Sequence, residues 1–157
     1  CAVQGIYTAG AMYFLNESDV VICSSDATFF DSHVTYGMVS ALEPVGMMRR
    51  IGLAHTLRMA LSGNDERVTA ATALQIGLVT EVVDRPVLWE RAHEIAAGIA
   101  AKPSAATQGT VRAIWDSLDR PYRAAMEQGL IYTRVGNPIG MAEVAENPPT
   151  RTEPRLR

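Results

Sequence analysis

Four consecutive apolar residues, Val20-Val21-Ile22-Cys23, place the strongest constraint on what this chain can become. A strand with one wet face alternates apolar and polar side chains. A run without alternation belongs to a strand covered on both faces, as in a parallel sheet with helices packed against it. Asp19 precedes the run, and Ser24-Ser25-Asp26 turns the chain into a second short strand, Ala27 to Phe30. Residues 1–5 read as another short strand ending at Gly5 and residues 6–10 as a turn. Gly10 then opens a short buried helix that ends near Asn16-Glu17. The pattern predicts an α/β fold.

Residues 31–46 read as a loop, with a helix opening near Pro44, since proline suits a first helical turn. A helix over 53–62 is stopped by Gly63. Thr69 is the N-cap of a helix over 70–76, with Gly77 just past its end, and Leu78 to Val83 reads as a strand. Beyond residue 85 the pattern is helical only. Leu88, Ala92, Ile95 and Ile99 share one helical face. Pro103 restarts the chain, with Val111, Ile114, Trp115 and Leu118 on the next face. Pro121 opens a third helix carrying Ala124, Gln128, Ile131 and Val135. Gly136-Asn137-Pro138 is expected to break it, leaving a last short helix to Ala145. The organisation predicted is a core over 1–85, a helical region over 86–146, and a disordered tail over 147–157, where Pro148, Pro149 and Pro154 stand among Arg, Thr and Glu.

Lys plus Arg number 14 and Asp plus Glu 17, for a net charge of -3, so the chain lacks the cationic footprint of a nucleic-acid module. With 48% apolar and 20% charged residues it has the make-up of a packed domain. No apolar run approaches the ~18 residues of a membrane span. No basic stretch leads into an apolar one as in a signal peptide. Cys1 and Cys23 fit neither CxxC nor zinc spacing, and the location predicted is cytoplasmic, with reduced thiols. Cys1-Ala2-Val3 reads as the middle of a buried strand, which needs neighbours to pair with. The expectation is a fragment lacking an N-terminal part.

Generic catalytic signatures are absent: the sequence holds no GxSxG, Walker A, GxGxxG or HExxH. His33, His55 and His93 are too scattered for a metal site, and His55 and His93 read as surface or packing residues. Three positions remain. His33 follows a strand end, where α/β proteins place their sites, although composition alone favours a structural role. Gly10 stands at a strand-to-helix turn of small residues, where exposed backbone N–H groups suit developing negative charge and a ligand can approach closely. Small residues there also permit tight helix–sheet packing. Glu43 lies in Ser40-Ala41-Leu42-Glu43-Pro44-Val45-Gly46. An apolar setting tunes a carboxylate for acid–base work by desolvation; the alternative is a first-turn glutamate complementing the helix dipole.

Three separated segments resemble one family. Ala2-Val3-Gln4-Gly5, Ala9-Gly10-Ala11 and Asp19 are similar to the A-V-N-G, glycine-rich turn and C-D signature of the crotonase (enoyl-CoA hydratase/isomerase) superfamily. Ala27 and Phe29 match its A-x-F strand. Thr69-Ala70-Ala71-Thr72-Ala73-Leu74-Gln75-Ile76-Gly77-Leu78-Val79 resembles its S-A-x-E-A-x-x-x-G-L-V stretch. The likeness covers about residues 1–118. Gln4 replaces the usual Asn, and the glycine run is diluted.

The resemblance implies the C-terminal part of a crotonase-like spiral of ββα units, followed by a helical oligomerisation region, in a homotrimer or hexamer. It implies an acyl-CoA substrate, with coenzyme A entering as part of that substrate and no separate cofactor or metal. Gly10 matches the glycine whose N–H helps bind the thioester oxygen; losing one such donor typically costs about 3 kcal/mol of barrier. The hydratase pattern puts glutamates where this chain has Tyr13 and His33. The two-glutamate water clamp is therefore not expected, and His33 and Glu43 are left as the groups to move a proton. Tyr13 either donates a hydrogen bond or walls the pocket. Ala9, Gly10, Tyr13, Ser32 and His33 are expected to touch substrate. Two alternatives stand beside this enzyme: a non-catalytic acyl-CoA-binding or assembly subunit, and a thioester hydrolase in which His33 activates water.

Overall fold

A computed structural model describes residues 1–149 and 153–155, and divides into a unit over Cys1–Glu94 and a second beginning at Ile95. In the first unit the strands are β1 (Ala2–Val3), β2 (Ile6–Thr8), β3 (Ile22–Ser24), β4 (Thr28–Phe30), β5 (Val68–Thr69) and β6 (Glu81–Val83). Helices α1 (Ala11–Asn16), α2 (Leu42–Ser62) and α3 (Ala70–Gln75) lie among them, and α4 (Leu88–Ala100) leads out of the unit. Short 3₁₀ turns occupy His33–Tyr36, Gly63–Asp65 and Arg85–Val87.

Two three-stranded sheets result. One is all parallel, in the order β1-β3-β6; the other has the order β2-β4-β5, with β2 and β4 parallel and β5 antiparallel. The chain steps from the first sheet to the second twice, from β1 to β2 and from β3 to β4, and each pair of strands leads on to a helix. Gly5 makes the first step at φ +65°, a region that glycine enters without Cβ strain. Of the Val20–Cys23 run, Ile22 and Cys23 fall in β3, Val21 is buried just before it, and Val20 is half-buried in the preceding bend. β3 is the central strand of its sheet, and all three of its residues are buried. Burial, with Asp26 nearby, pushes the Cys23 thiol up to about 11, which makes it a packing residue and no nucleophile.

Residues 6–8 depart from the expected turn. Ile6, Tyr7 and Thr8 pair in register with Thr28, Phe29 and Phe30, and the Tyr7 ring meets Phe29 edge-on with centroids 6.1 Å apart. Cross-strand aromatic packing decides the conformation there, where local turn residues alone did not. α3 is as read: the Thr69 hydroxyl accepts the Thr72 N–H, and Gly77 follows at φ +84°.

The α1–α2 junction is closely packed and hydrogen-bonded. Asn16, 4% exposed, donates its amide N–H to the Glu43 carbonyl at 2.8 Å. Arg50 donates to the carbonyls of Asn16, at 2.8 Å, and Ser18. α2 bends at Gly52, whose φ of +73° interrupts the helical ladder.

In the second unit α5 (Ser104–Ser117) packs on α6 (Tyr122–Glu146). α6 does not break at Gly136-Asn137-Pro138; it runs through Pro138. An interior proline forfeits one helical hydrogen bond. Close packing on α5 offsets this: a Cβ at Gly136 would stand 3.4 Å from the Ala105 carbonyl oxygen, and one at Gly140 3.4 Å from Ala106 Cβ. The packed face of α6 therefore carries Tyr132, Gly136 and Gly140, while Ile131 and Val135 of the expected face are 50% and 63% exposed. The tail expected over 147–157 lies partly outside the described residues. Among the described residues no helix is long and apolar enough to cross a membrane.

A Cβ placed on Gly46 would sit 2.5 Å from Asn16 Nδ2 and 2.8 Å from Asn16 Cβ. Gly46→Ala is therefore expected to destabilise the protein by about 1–3 kcal/mol, read as a lowered urea midpoint. An unchanged midpoint would show that α2 shifts freely against Asn16.

Candidate functional site

Parallel pairing of β2 with β4 sets Thr8 beside Phe30 at the C-terminal ends of both strands. The segments that follow, Ala9-Gly10 and Asp31-Ser32-His33, leave from the same sheet edge. Ala9 holds φ +49°, an uncommon conformation for a residue with a Cβ. It turns the chain so that its carbonyl accepts the Met12 N–H at 2.8 Å and Gly10 caps α1. Gly10 is exposed. Thr8 Oγ1, one residue before this turn, is buried with no hydrogen-bond partner among the described residues.

Glu43 reaches this turn from α2. Its Oε1 stands 3.9 Å from where a Cβ on Gly10 would lie. Glu43 is half-buried and in the first turn of α2. Its apolar sequence neighbours do not enclose it, since Leu42 is 74% and Val45 58% exposed.

The His33 ring is fixed by a residue that sequence reading passed over. Asp31 follows Phe29-Phe30 directly and is fully buried. Its Oδ1 lies 2.6 Å from His33 Nδ1 and accepts the His33 backbone N–H at 3.0 Å, while its Oδ2 accepts the Ser40 hydroxyl. Burial alone would raise the Asp31 carboxyl. The hydrogen bonds from Ser40 and from the backbone and ring of His33 outweigh it and hold the group below the usual carboxylate range. The signal available in the sequence was a carboxylate two residues before a histidine at the end of a buried aromatic strand.

The remaining predicted residues sit around this edge. Ser32 is half-buried and precedes the 3₁₀ turn that begins at His33. Tyr13 is half exposed, its ring edge-on to Phe14 at 6.4 Å. Gly10 and Glu43 are thus brought together directly, and His33 is held at the end of the adjoining strand. His55 lies elsewhere, lining a cavity of about 290 Å³ with Arg58, Glu66 and Arg67. Arg58 and Glu66 pair across that cavity at 2.5 Å. Among the described residues no three His, Cys, Asp or Glu side chains group as metal ligands.

Comparison with known proteins bears on the family and the fold. A family model described as Enoyl-CoA hydratase/isomerase matches residues 1–135. The (7aS)-7a-methyl-1,5-dioxo-2,3,5,6,7,7a-hexahydro-1H-indene-carboxyl-CoA hydrolase of Mycobacterium tuberculosis is 32% identical over 141 residues, covering 83% of this chain and 52% of that protein. The (E)-benzylidenesuccinyl-CoA hydratase of Thauera aromatica is 28% identical over 135 residues, covering 85% and 50%. A crystal structure of an enoyl-CoA hydratase/isomerase from Mycobacterium paratuberculosis superposes with a TM-score of 0.86 at 37% identity, covering 94% of this chain and 55% of that one. The chain spans about half the length of the curated relatives it matches.

Because the Asp31 carboxyl is depressed in the fold, the unfolded chain takes up its proton first as pH falls. The stability it contributes is complete above the unfolded value of about 3.9 and is lost as pH drops through the lower folded value. Urea midpoints followed from neutral pH into that window are expected to fall less steeply in Asp31→Asn than in wild type. Equal acid slopes would mean that Asp31 is not held ionised.

Proposed function

The chain belongs to the enoyl-CoA hydratase/isomerase family, the crotonase superfamily, and has its fold; from that premise we propose that it is part of an enzyme acting on acyl-CoA thioesters by proton transfer next to the thioester carbonyl. The observation that carries this reading is the Glu43 carboxylate lying against the Gly10 turn. The Gly10 N–H donates to the thioester oxygen. Glu43 or His33 takes a proton from the carbon beside the carbonyl or from its vinylogous neighbour. The electron pair of the broken C–H bond passes into an enolate whose oxygen the N–H stabilises, and return of the proton at another carbon gives the isomer. Ala9, Tyr13 and Ser32 line the approach. Coenzyme A is carried by the substrate, and the chemistry calls on no further cofactor.

A second reading, hydrolysis, is favoured by one feature: a histidine ring bonded to a buried aspartate is arranged to activate water. On this reading His33 takes a proton from water, and the hydroxide formed attacks the thioester carbonyl and expels the coenzyme A thiolate.

The helical region is the proposed assembly surface. Ile114, Leu130, Ile131, Val135 and Met141 are each at least half exposed there, and faces of this kind need a partner. We assign it to a homotrimer or a pair of trimers. The two free thiols fit a cytoplasmic location.

The test uses the full-length protein and a panel of 2-enoyl, 3-enoyl and dienoyl thioesters of coenzyme A. Ultraviolet absorbance follows double-bond movement, and a thiol reagent follows free coenzyme A. Isomer without free thiol supports the first reading; stoichiometric thiol release supports the second. Glu43→Gln and His33→Ala are each expected to lower kcat/KM by about 10²–10⁴-fold. Wild-type activity in both variants overturns the residue assignment, and no turnover by wild type leaves a binding protein. Light scattering is expected to give a trimer or hexamer; a monomer rejects the assembly.

A further inference from the structure

We infer that Asp31 is a positioning residue: its carboxylate holds the proton on His33 Nδ1, fixes the ring, and commits Nε2 as the atom that accepts a proton. The inference rests on the reading above for the use made of Nε2. The geometry at Asp31 stands apart from it.

An ionised carboxylate is an acceptor only. Three donors converge on this one, the His33 backbone N–H at 3.0 Å, the Ser40 hydroxyl, and His33 Nδ1 at 2.6 Å. An Nδ1 that close to Oδ1 bears its hydrogen, because two bare lone pairs at that distance would repel. In the neutral ring Nε2 is then the bare nitrogen, the one able to act as a base. A local turn needs only the backbone N–H on one oxygen of the aspartate. The ring contact and the Ser40 hydroxyl on the second oxygen exceed that need, and together they lock the carboxylate plane. Asp31 is fully buried and the His33 side chain 19% exposed, so neither has room to swing into solvent. A buried charge is tolerated where every face of it is met by a donor, and this one is met three times.

The experiment is ring ¹⁵N NMR on the full-length protein, at a pH where histidine is neutral. His33 is identified by the signal missing from His33→Ala. The expected spectrum shows hydrogen on Nδ1 and a bare Nε2. A ring carrying its hydrogen on Nε2 overturns the proposal whatever the enzyme turns over. The NMR result also holds if wild type converts no thioester, so the inference and the functional reading fail separately.

The second arm is kinetic. Asp31→Asn is expected to lower kcat by about tenfold or more while KM changes less than about twofold, with a cooperative melt confirming that the variant is folded. Placed in the His33→Ala background, the same change is expected to add no further loss, because Asp31 acts through His33. A loss of equal size in both backgrounds would make Asp31 a structural residue only. Should Asp31→Asn not fold, Ser40→Ala takes its place in the same cycle. It is expected to give a smaller loss that again vanishes without His33, with Ser40→Thr restoring the rate.

Discussion

The parallel register of β2 and β4 is the constraint on which the site depends. With Thr8 beside Phe30, the residues that leave each strand start from the same edge. The distance in sequence between Gly10 and His33 then becomes irrelevant to their chemistry. A slip of one residue would reverse every side chain on β2. Tyr7 would leave Phe29, and Thr8 would no longer hand the chain to the Ala9–Gly10 turn at that edge. The pairing is held by buried aromatic surface on Phe29 and Phe30, both under 10% exposed, and by Gly5, which lets the chain leave one sheet for the other.

Glu43 arrives by an independent route. Asn16 at the end of α1 donates to the Glu43 carbonyl, so the backbone that bears the carboxylate is tied to the helix that Gly10 opens. Gly46 permits this by leaving room for the Asn16 side chain. The carboxylate and the turn are thus fixed to each other through α1. His33 is fixed separately, through Asp31. The two attachments are independent, and each holds in place one of the groups that the proposed proton transfer would use.

Much of this was legible in the sequence where a local rule decides the outcome. The unbroken Val20–Cys23 run marked a strand buried on both faces. Thr69 and Gly77 marked the ends of α3, because caps act over three or four residues. The Gly10 turn was readable for the same reason. What the sequence hid was decided at long range. β2 formed because Tyr7 found Phe29, although Gly5 and Gly10 bracket it like a turn. α6 passed through Pro138 because small residues let it close on α5. Asp31 fell at the start of a stretch, 31–46, read only as a loop. Its burial, and the arrival of Ser40 from nine residues on, exist only in three dimensions.

Fold alone does not choose the reaction, since relatives of similar identity bear the names of a hydrolase and a hydratase. On the proposed reading, the choice falls to side chains around the Gly10 turn. By resemblance, Tyr13 and His33 occupy the positions at which hydratases carry glutamates. Two carboxylates can share the protons of one water and so hold it for addition. A half-exposed phenol and an imidazole held at Nδ1 by Asp31 offer a different set of groups. Glu43 is the remaining carboxylate at the turn, and it enters from the α2 side. On the proposed reading, His33 and Glu43 would approach a thioester from two different elements, an arrangement suited to taking a proton at one carbon and returning it at another. By the resemblance, water addition by the two-carboxylate route would need carboxylates at both positions 13 and 33. On this reading the departure from the hydratase pattern redirects a shared enolate chemistry without abandoning it.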